Sequence, residues 1–343
     1  MGTGSGGHFA VRSSDHAGNS MDAFPHRDHV SHRCTAMVHI DRILFPTDGS
    51  ECAERARRHA LYLADHFDAT LHVIWVEERP ADLADVVEVT EGDLLPDLHG
   101  TSAAESPHLA EARVQERTVA HSSVAGGILA YTVEHDMNLV VLGSHGRRGL
   151  RRLVLGSVAE EVVRKAPCPV VTVGRGTLAP DARTDGTMLV PVDFSEQRFR
   201  LLAHARELAP VYGMDVRVVH VVEVEEVPDA YGTYDSPPDP GRLAERARAA
   251  LDEELDPLRD VGINVSVDVR TGHPANEVLT EAEDCRAAYT MVATHGRTGL
   301  ERMLMGSVAE KIIRQAPCAV YTVKSFGPSL VDDKLEAEKE DAP

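Results

Sequence analysis

Lysine is nearly missing from this chain. Five are present (Lys165, Lys311, Lys324, Lys334, Lys339) beside 30 arginines, and together they face 55 acidic residues for a net charge of -20. That deficit argues against a general binder of nucleic acid or of an anionic membrane, which needs a basic face. An acidic, lysine-poor composition suits a high-salt cytoplasm such as that of a halophilic archaeon, where charge is screened and surface acids hold water. A GC-rich genome, favouring arginine codons, gives the same bias. Cysteine is also scarce: Cys34, Cys52, Cys168, Cys285 and Cys318 are odd in number and form no CxxC. A disulfide framework or a zinc ribbon is therefore not expected, and a reducing, cytoplasmic setting is. No apolar run approaches the ~18 residues of a membrane-spanning helix. The opening stretch MGTGSGGHFAVRSSDHAGNS lacks the apolar segment of a secretory signal.

What the chain does have is a repeat. Residues 143–173 match residues 293–323 at an offset of 150 without a gap, with 18 of 31 positions identical. Upstream, 41–65 matches 186–210, and 71–78 matches 216–226. A period this long is a duplicated domain, not a solenoid. Each copy alternates short apolar runs with amphipathic stretches. Strand one is expected at Ile43–Pro46 and Met188–Pro191, and helix one at Ala53–Ala64 and Phe199–Ala209. Strand two is Leu71–Val76 or Val216–Glu223. Inserts at 77–105 and 225–241 read as loops, each leading into a charged helix, Leu109–Ala120 or Arg242–Asp260. Strand three is clear at Asn264–Val269 and faint in the first copy. Helix three (Val124–His135; Pro274–Ala287), strand four (Leu139–Leu142; Tyr289–Ala293), a Gly-rich loop, helix four and a last strand (Val170–Val173; Val320–Val323) complete each unit. The pattern is α/β: two tandem doubly wound, parallel, Rossmann-like sheets. Domains are expected at 37–174 and 187–324, with a linker at 175–186, a disordered tail at 1–36 and an acidic tail at 325–343. Met37 is a candidate start of translation. His26, His29 and His32 in the first tail lack a scaffold that would make their spacing a metal site.

After strand four stands G-x2-G-x9-G-S: Gly143, Gly146, Gly156 and Ser157. Glycine lets the chain turn and lets a ligand approach its amides. Ser157 with Glu160 spells a capping box, so helix four is expected to begin there and present its N-terminus to a phosphate. The second copy places Ala293, Gly296, Gly306, Ser307 and Glu310 at these positions. Asp48 and Asp193 close strand one at the same sheet edge. Each is either a ligand contact, accepting from a ribose or an adenine amino group, or a cap of helix one together with Ser50 or Ser195.

FPTDGSE at 45–51, VPVDFSE at 190–196, and the GSHG…GSVAE and ATHG…GSVAE segments ending at 160 and 310, each followed by APC and an apolar strand, resemble the universal stress protein family over most of residues 38–324. The resemblance implies a five-stranded parallel sheet between helices, of the adenine nucleotide alpha hydrolase-like type, with the two units paired through their last strands as a pseudo-twofold pair. It implies ATP as ligand, with Mg or Mn as the metal that would accompany it. The contacts it implies in the first unit are Pro46, Asp48, Val73, Gly143, His145, Gly146, Gly156, Ser157 and Val158. In the second they are Pro191, Asp193, Val221, His295, Gly296, Gly306, Ser307 and Val308. Ala293 departs from the first glycine, which makes the second unit the weaker expected binder. The first unit has AHSSVAG at 120–126 where the second has GHPANEV at 272–278.

No Ser-His-Asp order, HExxH motif or P-loop lysine accompanies His145 or His295, so orientation of a ligand or loop is favoured over catalysis. Arg147, Arg148, Arg151 and Arg152 are either phosphate contacts or a solvated loop. The expectation is a nucleotide-binding regulator without robust catalysis. The alternatives are a weak ATPase or nucleotidyl transferase, or a nucleotide-free dimerisation module. Internal pairing is expected, and any homo-oligomer would use other surfaces.

Overall fold

The computed structural model describes residues 39–80, 89–91, 113–146, 155–174, 177, 186–223, 239–294 and 305–324. The expected tails, most of the linker, His295, Gly296 and the Arg147–Arg152 cluster lie outside these. In the first unit the chain runs β1 (Arg42–Pro46), α1 (Glu51–Phe67), β2 (Thr70–Glu78), β3 (Val89–Glu91), β4 (Val114–His121), α2 (Val124–Glu134), β5 (Leu139–Gly143), α3 (Ser157–Lys165) and β6 (Val170–Val173). The second unit runs β7 (Thr187–Val192), α4 (Gln197–Tyr212), β8 (Asp215–Val222), α5 (Pro240–Glu254), α6 (Asp256–Arg259), β9 (Val265–Thr271), α7 (Pro274–Asp284), β10 (Tyr289–Ala293), α8 (Ser307–Gln315) and β11 (Ala319–Val323).

The central strands are near-continuous apolar runs because both their faces are covered. Ile43, Leu44 and Phe45 in β1 are all within 1% of complete burial. Helix α1 starts on Ser50, whose Oγ accepts from Ala53 N at 3.2 Å, and stops at Asp68 in the left-handed region (φ 58°). In between, Ala53, Ala56, Ala60, Leu63 and Ala64 repeat at helical spacing and press on the sheet. Small residues there let the helix lie close to the strands.

All eleven strands form one sheet in the order β3-β4-β2-β1-β5-β6-β11-β10-β7-β8-β9. Within each unit the core strands are parallel in the doubly wound order 3-2-1-4-5. The two halves join where β6 meets β11 antiparallel, with Thr172 opposite Val320, Val171 opposite Tyr321 and Val170 opposite Thr322. Val171 and Tyr321 are themselves equivalent under the repeat offset of 150, so the local twofold passes between them. One apolar core on each face crosses this seam without a break. On one face the seam is also polar: Tyr289 OH of β10 bonds His59 Nδ1 of α1 and donates to Tyr212 OH at 3.1 Å. Tyr62 of α1 stacks on Tyr212 with centroids 5.4 Å apart and donates to Val211 O at 2.7 Å.

Two expectations fail in the first unit. Val114–His121 is a strand where a charged helix was expected, and it pairs parallel with β2 from Leu71 to Glu78. Its QERT stretch reads as helix by charge, yet only Thr118, Val119 and Ala120 are buried, as suits a strand lying near the sheet edge. The insert, read as loop, contributes β3, which covers that edge antiparallel.

Two buried histidines tie stability to pH. His72 of β2 lies 2.9 Å by Nδ1 from the Tyr131 hydroxyl, and burial, reinforced by His135, pushes its pKa down to about 4. His204 of α4 donates from Nδ1 to Arg200 O at 2.8 Å, and burial lowers it likewise to about 4. Both remain neutral in the folded chain and protonate near pH ~6.5 when it unfolds. Since the folded pKa is the lower, stability is full above the unfolded value of about 6.5 and is lost as pH falls toward 4. Denaturant unfolding is expected to show a falling midpoint between about pH 6.5 and 4, with a shallower fall in His72→Gln. A slope unchanged by that substitution would show that His72 does not contribute.

Candidate functional site

In each unit the sheet order reverses beside its first strand. The crevice at the carboxyl ends of β1 and β5, and of β7 and β10, is where open α/β sheets take ligands. In the first unit three backbone segments meet there. Ser144 N donates to Val173 O at 2.9 Å, and Ser144 O accepts from Gly156 N at 2.8 Å. This second bond draws the start of α3 back onto the end of β5. Gly156 lies so near Ser144 O and the backbone of His145 that a Cβ would come within 3.3 Å of the former. Ser50 Oγ donates to His145 O at 3.3 Å, fastening the same loop to the cap of α1. Asp48 accepts from Ser50 N at 2.9 Å through Oδ1, while its Oδ2 stands 2.7 Å from where a Cβ on Gly146 would be. A side chain at residue 146 would displace the Asp48 carboxylate. His145 Nδ1 is 2.9 Å from Ser144 Oγ.

Helix α3 begins differently from the capping box expected. Its cap is Gly156 (φ -65°, ψ 148°), and the first intrahelical bond is Glu160 N to Gly156 O at 2.9 Å. Ser157 is therefore the first helical residue, and its exposed hydroxyl caps nothing. The Ser144 carbonyl fixes residue 156 extended, which moves the start one residue earlier. The amides of Ser157, Val158 and Ala159 precede that first bond and, like those of any helix start, lack intrahelical acceptors. The second unit repeats the device: Gly306 N donates to Thr294 O at 2.9 Å, Gly306 is extended, and Glu310 N donates to Gly306 O at 2.9 Å.

The structure thus gathers Asp48, His145, Gly146, Gly156 and Ser157 in one place, with Val158 half-buried just behind. Pro46 is buried at the end of β1. Val73 does not join them. It is 4% exposed in the core beneath α1, and the register that sets Pro46 opposite Ile74 and Pro191 opposite Val219 makes Val76, not Val73, the counterpart of Val221. In the second unit Asp193, Gly306, Ser307 and Val308 occupy the corresponding positions beside Pro191, and His295 and Gly296 are not described. Asp193 Oδ1 accepts from Ser195 N at 3.0 Å and Ser195 Oγ at 2.6 Å, but the cap of α4 is Glu196 and no side chain completes it. Phe194 replaces Gly49 in the left-handed turn after strand one (φ 60° against 69°), a strained place for a bulky residue, with its ring 4.6 Å from that of His220. The differing walls are now defined: Ser123 caps α2 in the first unit, whereas His273, after Gly272 at φ 147°, caps α7 without a side-chain bond.

Gly143 also changes meaning. A Cβ there would lie 2.8 Å from both Ala53 N and Cys52 C, so this glycine serves the close packing of α1 on β5. Its φ is not positive, and neither is that of Ala293. In the second unit α4 begins one position later, at Gln197, and alanine is accommodated. The Gly-to-Ala difference is therefore a packing difference. Among the described residues no group of three His, Cys, Asp or Glu is placed to hold a metal ion, and no helix is long and apolar enough to cross a membrane.

The universal stress protein family model matches residues 39–174 and again 186–324. The chain belongs to that family, as a tandem member. It is 27% identical over 250 residues to a universal stress protein of Mycolicibacterium smegmatis, covering 72% of this chain and 78% of that one. It is 32% identical over 139 residues to one of Methanocaldococcus jannaschii, covering 40% and 81%. Neither source bears out the halophilic archaeon suggested by composition. The solved structure of a universal stress protein from Archaeoglobus fulgidus covers 82% of this chain and 98% of that one at 20% identity and a TM-score of 0.54, which supports the fold. A shorter family member from the same organism, solved in complex with dAMP, covers 40% of this chain and 98% of that one at 23% identity and a TM-score of 0.30.

Gly143→Ala is expected to destabilise the chain by about 1–3 kcal/mol through overpacking against α1. Denaturant unfolding measures this, and a neutral substitution would show that α1 can retreat without cost.

Proposed function

We propose that the chain binds ATP at the two Gly-rich loops and acts as a nucleotide-dependent regulator without robust catalysis. The observation that carries this is the start of α3. Gly156 offers no side chain to its own helix, so the amides of residues 157–159 stay open to an anion at the positive end of the helix dipole. Asp48 stands across from them beside Gly146, an acceptor suited to a ribose hydroxyl or an adenine amino group. The triphosphate would lie against Gly146, Gly156 and Ser157, and the nucleoside toward Asp48 and Val76. Any Mg2+ or Mn2+ would accompany the phosphates. In the second unit Asp193, Gly306 and Ser307 would play the same parts, with Phe194 and His220 reshaping the nucleoside side. Occupancy would favour one arrangement of the loops and so alter the surface offered to other molecules.

The test is calorimetric titration of the full chain with ATP, together with identification of any nucleotide released when the purified protein is denatured. Gly156→Asp is expected to lower ATP affinity at the first site by at least about tenfold, because it sets bulk and negative charge where phosphate approaches. The fold should survive, since residue 156 is extended at φ -65° and an acid suits a helix start. Two ATP sites of unchanged affinity in a folded Gly156→Asp protein would contradict this placement. Steady ATP turnover would favour an ATPase instead.

A further inference from the structure

The two helices that begin at the Gly-rich loops meet across the seam, and the second unit holds the first unit's helix at both ends. Glu160 sits in the first turn of α3, three residues after Ser157, and Glu310 holds the equivalent position in α8. A single guanidinium lies between them: Arg314 Nη2, at the end of α8, is 2.9 Å from Glu160 Oε1 and 3.0 Å from Glu310 Oε1. The Arg314 and Glu160 side chains are 34% and 30% exposed, so solvent screens the pair only in part. At the other end of α3, Lys324 Nζ donates to Val163 O, one of the last carbonyls of that helix.

The arrangement is one-sided. The repeat places Arg164 where the second unit has Arg314 and Gly174 where it has Lys324. Among the described residues no ion pair joins Arg164 to Glu310, and a glycine has no ammonium to offer. The first unit therefore does not return the clamp.

A carboxylate one turn into a helix favours the dipole, but it repels an anion arriving at the same end. Arg314 removes that repulsion and fixes where the Glu160 carboxylate points. We propose that Arg314 is a positioning residue for the first unit's phosphate site, acting in trans from the second unit through Glu160. This rests on the nucleotide reading above. The two sites then differ in kind: the first depends on its neighbour for its charge balance, and the second does not.

The experiment is a double-substitution cycle in the full chain, in a Gly306→Asp background that silences the second site, with circular dichroism and melting checked for each protein. Arg314→Met is expected to weaken ATP about three- to tenfold while leaving adenosine, which has no phosphate, unchanged. Glu160→Gln should bind ATP at least as tightly as the parent, and adding Arg314→Met to it should cost nothing further. Arg314→Lys, which keeps the charge, should retain most of the affinity and covers the case of a poorly folded Met variant. ATP affinity unaffected by Arg314→Met overturns the proposal, as does an equal loss when Glu160→Gln is also present or a parallel loss of adenosine. A parent that binds no ATP overturns the nucleotide reading itself, and this inference falls with it.

Discussion

The antiparallel meeting of β6 with β11 is the constraint on which the rest of the molecule depends. A four- or five-residue strand at the edge of a parallel sheet presents unpaired backbone groups, and these must be satisfied or shielded. Duplication supplies an equivalent edge in the same chain, so each unit closes the other. With Val171 facing Tyr321 on the local twofold, the equivalent helices are brought side by side in antiparallel fashion. Both apolar cores then run through the seam, and the pairs His59–Tyr289, Arg314–Glu160 and Lys324–Val163 all follow from that one alignment. Neither half is a finished surface without the other.

The same constraint leaves the opposite requirement at the carboxyl ends of the central strands. There the chain cannot pair with itself, and glycine carries it close to its own backbone. Gly156 and Gly306 each donate to the carbonyl that follows strand four, and each starts a helix with nothing but a backbone cap. A turn that needed only to be tight could have used a Ser or Asp cap, as α1 does at Ser50. Keeping the helix starts bare in both units leaves their first amides without a side-chain cap.

Much of this was legible in the sequence. The repeat showed the duplication, the apolar runs showed most of the strands, and the spacing of Gly143, Gly146 and Gly156 placed the loop at its proper strand end. What was not legible depends on contacts between distant residues. Gly143 looks like a ligand glycine, but its neighbours Cys52 and Ala53 lie far away in sequence, so its packing role shows only in three dimensions. Ser157 reads as a cap because the bond that displaces it comes from Ser144, outside any local window. Residues 114–121 read as helix because charge outweighs periodicity in a strand near the sheet edge. Val73 reads as the contact because a strand's apolar residues look alike until register ranks them.

The central claim is that the bare start of α3 receives the phosphates, and amide hydrogen exchange addresses it directly. With ATP at saturation, the amides of residues 157–159 should exchange more slowly than in the free protein, and adenosine at saturation should leave them unchanged. ATP bound at saturation with no protection at 157–159, or equal protection by adenosine, would contradict the account.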